Sequence, residues 1–275
     1  MDIRILRQKI EKIEMLPTVP DVIKRLAVII GNPKISLSEI SSFISSDPIL
    51  TSRILKMVNS AIFGFPGRIS SVTHAVTLLG FNVIKGLLMG VTVLDLMETT
   101  MIGLREHSIG CAAAARTIAA RKGLKNTEDV SVAGLLHDLG KVILLLQFPQ
   151  DYGMVLKTAE RKGMLVYDAE QEHFSESHAT VGLWLAEKWQ FPKHLTDVIA
   201  FHHKPGLAKD APMETAIVHL ADILTRGMGF GYAGDALVPA VSPAAFEQLN
   251  LSEEDIRDVL RTIDSMKGMG DDLGW

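Results

Sequence analysis

The sequence predicts an all-α protein, and three observations carry that reading. Apolar residues recur at helical spacing in both halves of the 275-residue chain. No segment shows the sustained period-2 alternation of a half-buried strand. Serine, aspartate and proline fall where helices should start, and glycine or proline where they should stop.

Taken in order, Ile3, Leu6, Ile10 and Ile13 form one apolar stripe at helical spacing. Pro20 suits a helix start, and Gly31-Asn32-Pro33 a stop. Residues 36–39, SLSE, read as a capping box in which Ser36 and Glu39 open a short helix. Asp47 is a natural N-cap for the next helix, with Pro48 in its first turn. After the turn FGFPG (63–67), helices are expected near 71–79 and 82–98. The second half reads as helices at about 103–122, 127–138, 141–148, 151–162, 177–189, 192–203 and 212–226. A Gly-rich loop (227–243) and a last helix (252–266), capped by Ser252 and Asp255, follow. The expected organisation is an N-terminal helical lobe (1–100), a second helical lobe (101–230), and a loop with a C-terminal helix (231–275). The apolar 83–98 helix would lie at the junction of the two lobes.

Composition removes several classes of function. With 47% apolar and 22% charged residues, the chain has the balance of an ordinary globular protein. Its net charge of −4 offers no general attraction for nucleic acid or for an anionic membrane. The helices on either side of SSDP could suggest a helix-turn-helix reader of DNA. The second begins Pro48-Ile49-Leu50-Thr51, apolar where such a reader presents Arg, Asn or Gln. Nucleic acid is therefore not an expected partner. Cys111 is the only cysteine, so no internal disulfide forms, and it reads as a small core residue and not a metal ligand. The start, MDIRILRQKIEKIE, is too charged for a secretory signal. The longest apolar run, 83–97, is shorter than a membrane span and carries Lys85 and Asp95. A cytoplasmic location with no membrane partner is expected.

The chemistry lies with the histidines. His107 sits early in an Ala-rich helix, and His137-Asp138 ends another just before Gly140. His178 opens a helix, His202-His203 closes one, and Asp222 interrupts the apolar stretch IVHLADIL. From helix ends and apolar faces, short side chains can converge inside a bundle. Imidazoles with carboxylates suit Fe, Mn, Zn or Ni, while the lack of thiolates argues against a structural zinc site. An adjacent His-Asp pair can serve two metals if the carboxylate bridges them, and two-metal centres commonly activate water against phosphate esters. Taken singly, each residue has a plainer reading. A histidine at a helix C-terminus often only meets the last carbonyls, a His-His doublet is often solvated, and Asp222 could pair with Arg226 one turn on.

The order of these residues is distinctive. His107, His137-Asp138 within HDLGK, His202-His203 and Asp222 resemble the ligand pattern of the HD superfamily of phosphohydrolases. His178 matches an additional ligand of its cyclic-dinucleotide-cleaving HD-GYP branch. LPTVPDVI, ISSDPILTSRILKMVNSAIFG, ISSVTHAVTLLG and HATVGLWLAEKWQFPKHLTDVIAFHH resemble the HDOD family over roughly residues 15–225. That resemblance implies an HD-like helical bundle and a bacterial signalling module, related to HD hydrolases but generally regarded as non-catalytic. It implies a divalent metal held by His107, His137, Asp138, His178, His202, His203 and Asp222, in a mono- or dinuclear centre. Fe or Mn is expected, with Zn or Ni as substitutes on overexpression. Lys141, one turn from Asp138, either balances anionic charge there or is a surface lysine at a helix start.

Two departures shape the functional expectation. The HD-GYP branch follows its His-His pair with Glu and a Gly-Tyr-Pro loop that helps hold the dinucleotide, whereas this chain has Lys204, Pro205 and Gly206. Where that branch can carry a Glu one turn before the first ligand, this chain has Gly103, which cannot ligate. The expected function is a signal-transduction output or scaffold module, with signalling proteins as partners and no cyclic di-GMP hydrolysis. The alternative is a metal-dependent phosphohydrolase acting on another phosphoester or nucleotide.

Overall fold

The computed structural model describes residues 6–8, 10, 34–60, 62, 63, 65 and 67–266. Of the N-terminal stripe, Leu6 and Ile10 are fully buried. Ile3, Ile13 and the helix signals at Pro20 and Gly31–Pro33 lie outside the described residues.

The expected fold class is observed: the described residues form helices and turns with no strand. Helix α1 (Leu37–Ser45) opens with the Ser36–Glu39 capping box, both reciprocal bonds being present. In α2 (Pro48–Val58), the Asp47 carboxylate accepts the backbone N–H groups of Ile49 and Leu50. Asn59 then ties the following loop down, exchanging two hydrogen bonds with the backbone of Ile69. Helix α3 spans Val72–Thr100 but breaks at Gly80, whose φ of 75° and ψ of 177° are not helical. The two expected helices thus run end to end through one left-handed glycine, a conformation with a low steric cost only for that residue. Among the described helices, α3 alone is long and apolar enough to cross a membrane. Most of its apolar stretch is buried, packed on α1 and α2 on one side and on the following helices on the other.

The Ala-rich α4 (Leu104–Arg121) is the centre of the remaining bundle. Its fully buried Ala112, Ala114 and Ala115 let α5 (Thr127–Leu136) approach closely, and the Ser131 hydroxyl donates to the carbonyl of Ala112. Next come α6 (Leu139–Gln147), α7 (Pro149–Lys162), α8 (Val166–Phe174), α9 (His178–Lys188) and α10 (Lys193–Phe201). A 3-10 turn at Pro205–Leu207 leads to α11 (Pro212–Gly227), which packs along α4. The Asp197 carboxylate fixes the entry to α11 by accepting three backbone N–H groups, from Lys209, Asp210 and Ala211. After the expected loop, α12 (Pro243–Leu249) and α13 (Glu253–Ser265) close the structure, α13 through the Ser252–Asp255 capping box. Helices α8 and α12 had no counterpart in the sequence reading.

Candidate metal centre

Each candidate ligand sits at a helix end or on a face turned inward. The α5–α6 junction is a tight turn that delivers His137 and Asp138, both buried, between α4 and α9. Gly140 makes this possible: a Cβ there would lie 1.9 Å from the carbonyl oxygen of His178. His107 comes from the first turn of α4, His178 from the start of α9, and Asp222 from α11. His202 and His203 follow directly on α10.

These seven side chains come together in two linked groups. In one, His107 Nε2 lies 3.3 Å from His137 Nε2 and 3.1 Å from Asp222 Oδ1. In the other, His178 Nε2 lies 3.3 Å from His202 Nε2 and 3.0 Å from His203 Nε2. Asp138 stands between them. Its Oδ2 is 3.4 Å from His137 Nε2 and 3.7 Å from His107 Nε2, and its Oδ1 is 3.2 Å from His178 Nε2. Three overlapping sets of donors lie close enough to hold an ion: His107, His137 and Asp222; His178, His202 and His203; and His137, Asp138 and His202.

Two of the plainer readings, an Asp222–Arg226 pair and a solvated His-His doublet, are not observed. Arg226 bonds to Asp235 and to the carbonyl of Leu237, leaving Asp222 facing His107. His202 is fully buried, and only His203 is partly exposed. Lys141 is no surface lysine: buried, it donates to Asp138 Oδ2 at 2.7 Å and to the carbonyl of Ala233 at 2.9 Å. Cys111 is a buried core residue and belongs to neither group of donors.

Hydrogen bonds fix how the imidazoles face. His137 Nδ1 donates to the carbonyl of Gly134 at 2.6 Å, and His202 Nδ1 to that of Ile199 at 3.0 Å. His178 Nδ1 donates to Glu170 at 2.6 Å. In the neutral form each therefore turns an unprotonated Nε2 into the cluster, the arrangement that outer hydrogen bonds impose on metal-binding histidines. The electrostatics divide the imidazoles: burial pulls His137 down, but the carboxylate of Asp138 and Cys111 override it and raise it well above the usual histidine range. Burial, reinforced by the neighbouring imidazoles, holds His202 and His203 well below the usual histidine range. Burial also lowers His107 against the upward pull of Asp222. For Asp138, burial pushes upward, but Lys141 and His137 outweigh it and keep the carboxylate ionised. His107 does the same for Asp222. His178 is raised: burial pulls it down, and the carboxylate of Glu170 overrides that.

The residues fit a cation. Asp138 Oδ1 and Asp222 Oδ1 are buried acceptors that make no hydrogen bond, although His178 Nε2 and His107 Nε2 lie 3.2 and 3.1 Å away. The lone pairs of His178 and His202 face one another at 3.3 Å. Orphaned acceptors and opposed lone pairs are costly inside a protein unless a positive charge sits among them.

Sequence reasoning missed Glu170, Tyr167 and His219. Glu170 lies on the unexpected α8, as does Tyr167, whose ring centroid is 4.4 Å from that of His203. His219 accepts the Ser242 N–H at Nε2 and donates from Nδ1 to the carbonyl of His202, pinning the loop after α11 to the ligand pair. The sequence signal for His219 was only a polar residue on an apolar helix. A shallow recess beside the cluster, with no room for a water-sized molecule, is lined by residues that include Lys141, Tyr167, His178, His203 and Arg226.

Comparison with known proteins places the fold. The HDOD domain profile matches residues 16–205. An uncharacterized protein of Treponema pallidum (strain Nichols) is 30% identical over 203 residues, which cover 70% of this chain and 38% of that protein. This chain therefore spans about two fifths of that relative's length. The crystal structure of an HDOD domain protein of unknown function from Geobacter sulfurreducens superposes with a TM-score of 0.66 at 26% identity. The match covers 98% of this chain and 96% of that one. A Marinobacter aquaeolei VT8 structure, provisionally described as a signal transduction protein, superposes with a TM-score of 0.70 at 21% identity. It covers 96% of this chain and 61% of that one, and shows the same fold.

Proposed function

This chain belongs to the HDOD family, and from that premise we propose that it is a signal-transduction output or scaffold module built around a closed HD-type metal centre. On this reading it acts in the cytoplasm through contacts with signalling proteins and does not hydrolyse cyclic di-GMP. His107, His137 and Asp222 hold one divalent cation, His178, His202 and His203 a second, and Asp138 serves both. Fe or Mn suits this nitrogen and oxygen donor set, with Zn or Ni able to substitute. When bound, the cations supply Lewis acidity and fixed positive charge at the meeting point of five helices.

The observation that carries the reading is enclosure. Six of the seven ligands are no more than 3% exposed. The recess beside them has no room for a water-sized molecule, far short of the roughly 300–1,000 Å³ of ordinary ligand pockets. Tyr167 covers His203, and Lys204, which follows the His-His pair where the HD-GYP sequence has Glu, stands over the Tyr167 ring. Hydrolysis needs substrate held in line with an activated water, and losing that positioning removes several kcal/mol of catalysis.

The donor set itself favours a second reading, a metal-dependent phosphohydrolase acting on an unidentified phosphoester or nucleotide. Metal analysis of the purified chain together with a phosphodiesterase and nucleotidase screen separates the two. The first reading requires bound metal without turnover, and the second a metal-dependent rate.

A further inference from the structure

We propose that Glu170, braced by Tyr152, positions His178 and thereby decides whether the centre holds one divalent cation or two; this rests on the metal reading above. His178 can offer Nε2 to a metal only while its proton stays on Nδ1. Glu170 Oε2 enforces that state, accepting Nδ1–H at 2.6 Å and the backbone N–H of the same residue at 2.8 Å. The other oxygen, Oε1, accepts the Tyr152 hydroxyl at 2.6 Å. All three residues are fully buried, so no water competes for these bonds.

The effect is confined to one half of the centre. Helix α8 supplies both Glu170 against His178 and the Tyr167 ring against His203. The start of α8 is itself fixed, its Val166 N–H donating to Asp235. The other half, His107, His137 and Asp222, takes no hydrogen bond from α8. His137 is oriented from within α5, by the carbonyl of Gly134.

The substitution Glu170→Gln therefore acts selectively. An amide keeps one acceptor oxygen where the carboxylate had two, and its NH2 group can only donate. The backbone N–H of His178 needs an acceptor at the same point, so the amide oxygen stays toward His178 and the NH2 turns to the Tyr152 hydroxyl. What is lost is the charge-assisted bond that holds the proton on Nδ1. Loss of an outer hydrogen bond of this kind weakens metal affinity by about 10–100-fold.

The test is titration of the full, metal-stripped chain with Mn(II), counting ions and their affinities. Two ions are expected for the unmodified chain. For Glu170→Gln, the first ion should be retained at unchanged affinity and the second weakened by about 10–100-fold. Tyr152→Phe, which leaves both His178 contacts in place, should weaken the second ion less than Glu170→Gln does. Two ions of undiminished affinity in Glu170→Gln, or equal weakening of both, would overturn the proposal while leaving the metal centre intact. A single ion in the unmodified chain also overturns it, and no ion at all overturns the underlying metal reading instead. Should Glu170→Gln not fold, Glu170→Asp, which keeps the charge but shortens its reach, must show the same selective loss.

Discussion

Lys141 Nζ lies 2.7 Å from Asp138 Oδ2, with both side chains shut away from water. The ammonium compensates the one carboxylate that faces both halves of the centre. Removing one member of a buried ion pair strands the other charge and typically costs about 3–5 kcal/mol. Lys141→Met should lose stability on that scale when urea unfolding is followed in the presence of a chelator. With Mn(II) bound, the loss should be smaller, because the cation then offsets the charge of Asp138.

Gly140 is required by packing. Any Cβ there meets the backbone of α9 at the residue that carries a ligand, His178. Gly140→Ala must push α6 and α9 apart, and overpacking of this kind costs about 1–3 kcal/mol or more. We expect a lower melting temperature and less metal per chain, since His178 moves away from Asp138. Thermal unfolding and elemental analysis of the same preparation check both effects.

His219 gives the metal-free protein a pH dependence of defined sign. Burial lowers its pKa, so it is neutral in the folded state while it bonds Ser242 and His202. As pH falls below the unfolded value of about 6.5, the unfolded chain takes up the proton first and stability declines. His219→Leu can satisfy neither bond and should lose about 1–3 kcal/mol at pH 7.5. Because the variant lacks the titrating group, its deficit relative to the unmodified chain should narrow by pH 5.5. A deficit that stays constant across that range would show that His219 does not titrate as described.

Much of the bundle was legible because its helices announce themselves locally. The Ser36–Glu39 and Ser252–Asp255 boxes and the Asp47 cap mark their starts by side chains three residues apart or fewer. Helix α8 hides because its buried face includes Glu170, so YDAEQEHF carries no apolar stripe, and its partners Tyr152 and His178 lie outside the helix. Helix α12, only seven residues long, offers too few turns for periodicity to show. The candidate ligands were picked out by their order along the chain, with the local pair His137-Asp138 in HDLGK as the anchor. What that order could not convey is the enclosure, which depends on Tyr167 and on the loop that brings Ala233 to Lys141. The burial of Lys141 was undecided for the same reason, since its second partner is 92 residues away.

The central claim is that this chain keeps an HD-type metal centre without cyclic di-GMP hydrolysis. The most direct measurement is the turnover of cyclic di-GMP by Mn(II)- and Fe(II)-loaded protein, run beside His137→Ala with metal content determined for both. The account predicts metal in the parent chain, less metal and lower thermal stability in His137→Ala, and no turnover above the metal-only control in either. A metal-dependent rate in the parent chain that disappears in His137→Ala would contradict it and make the protein a phosphohydrolase.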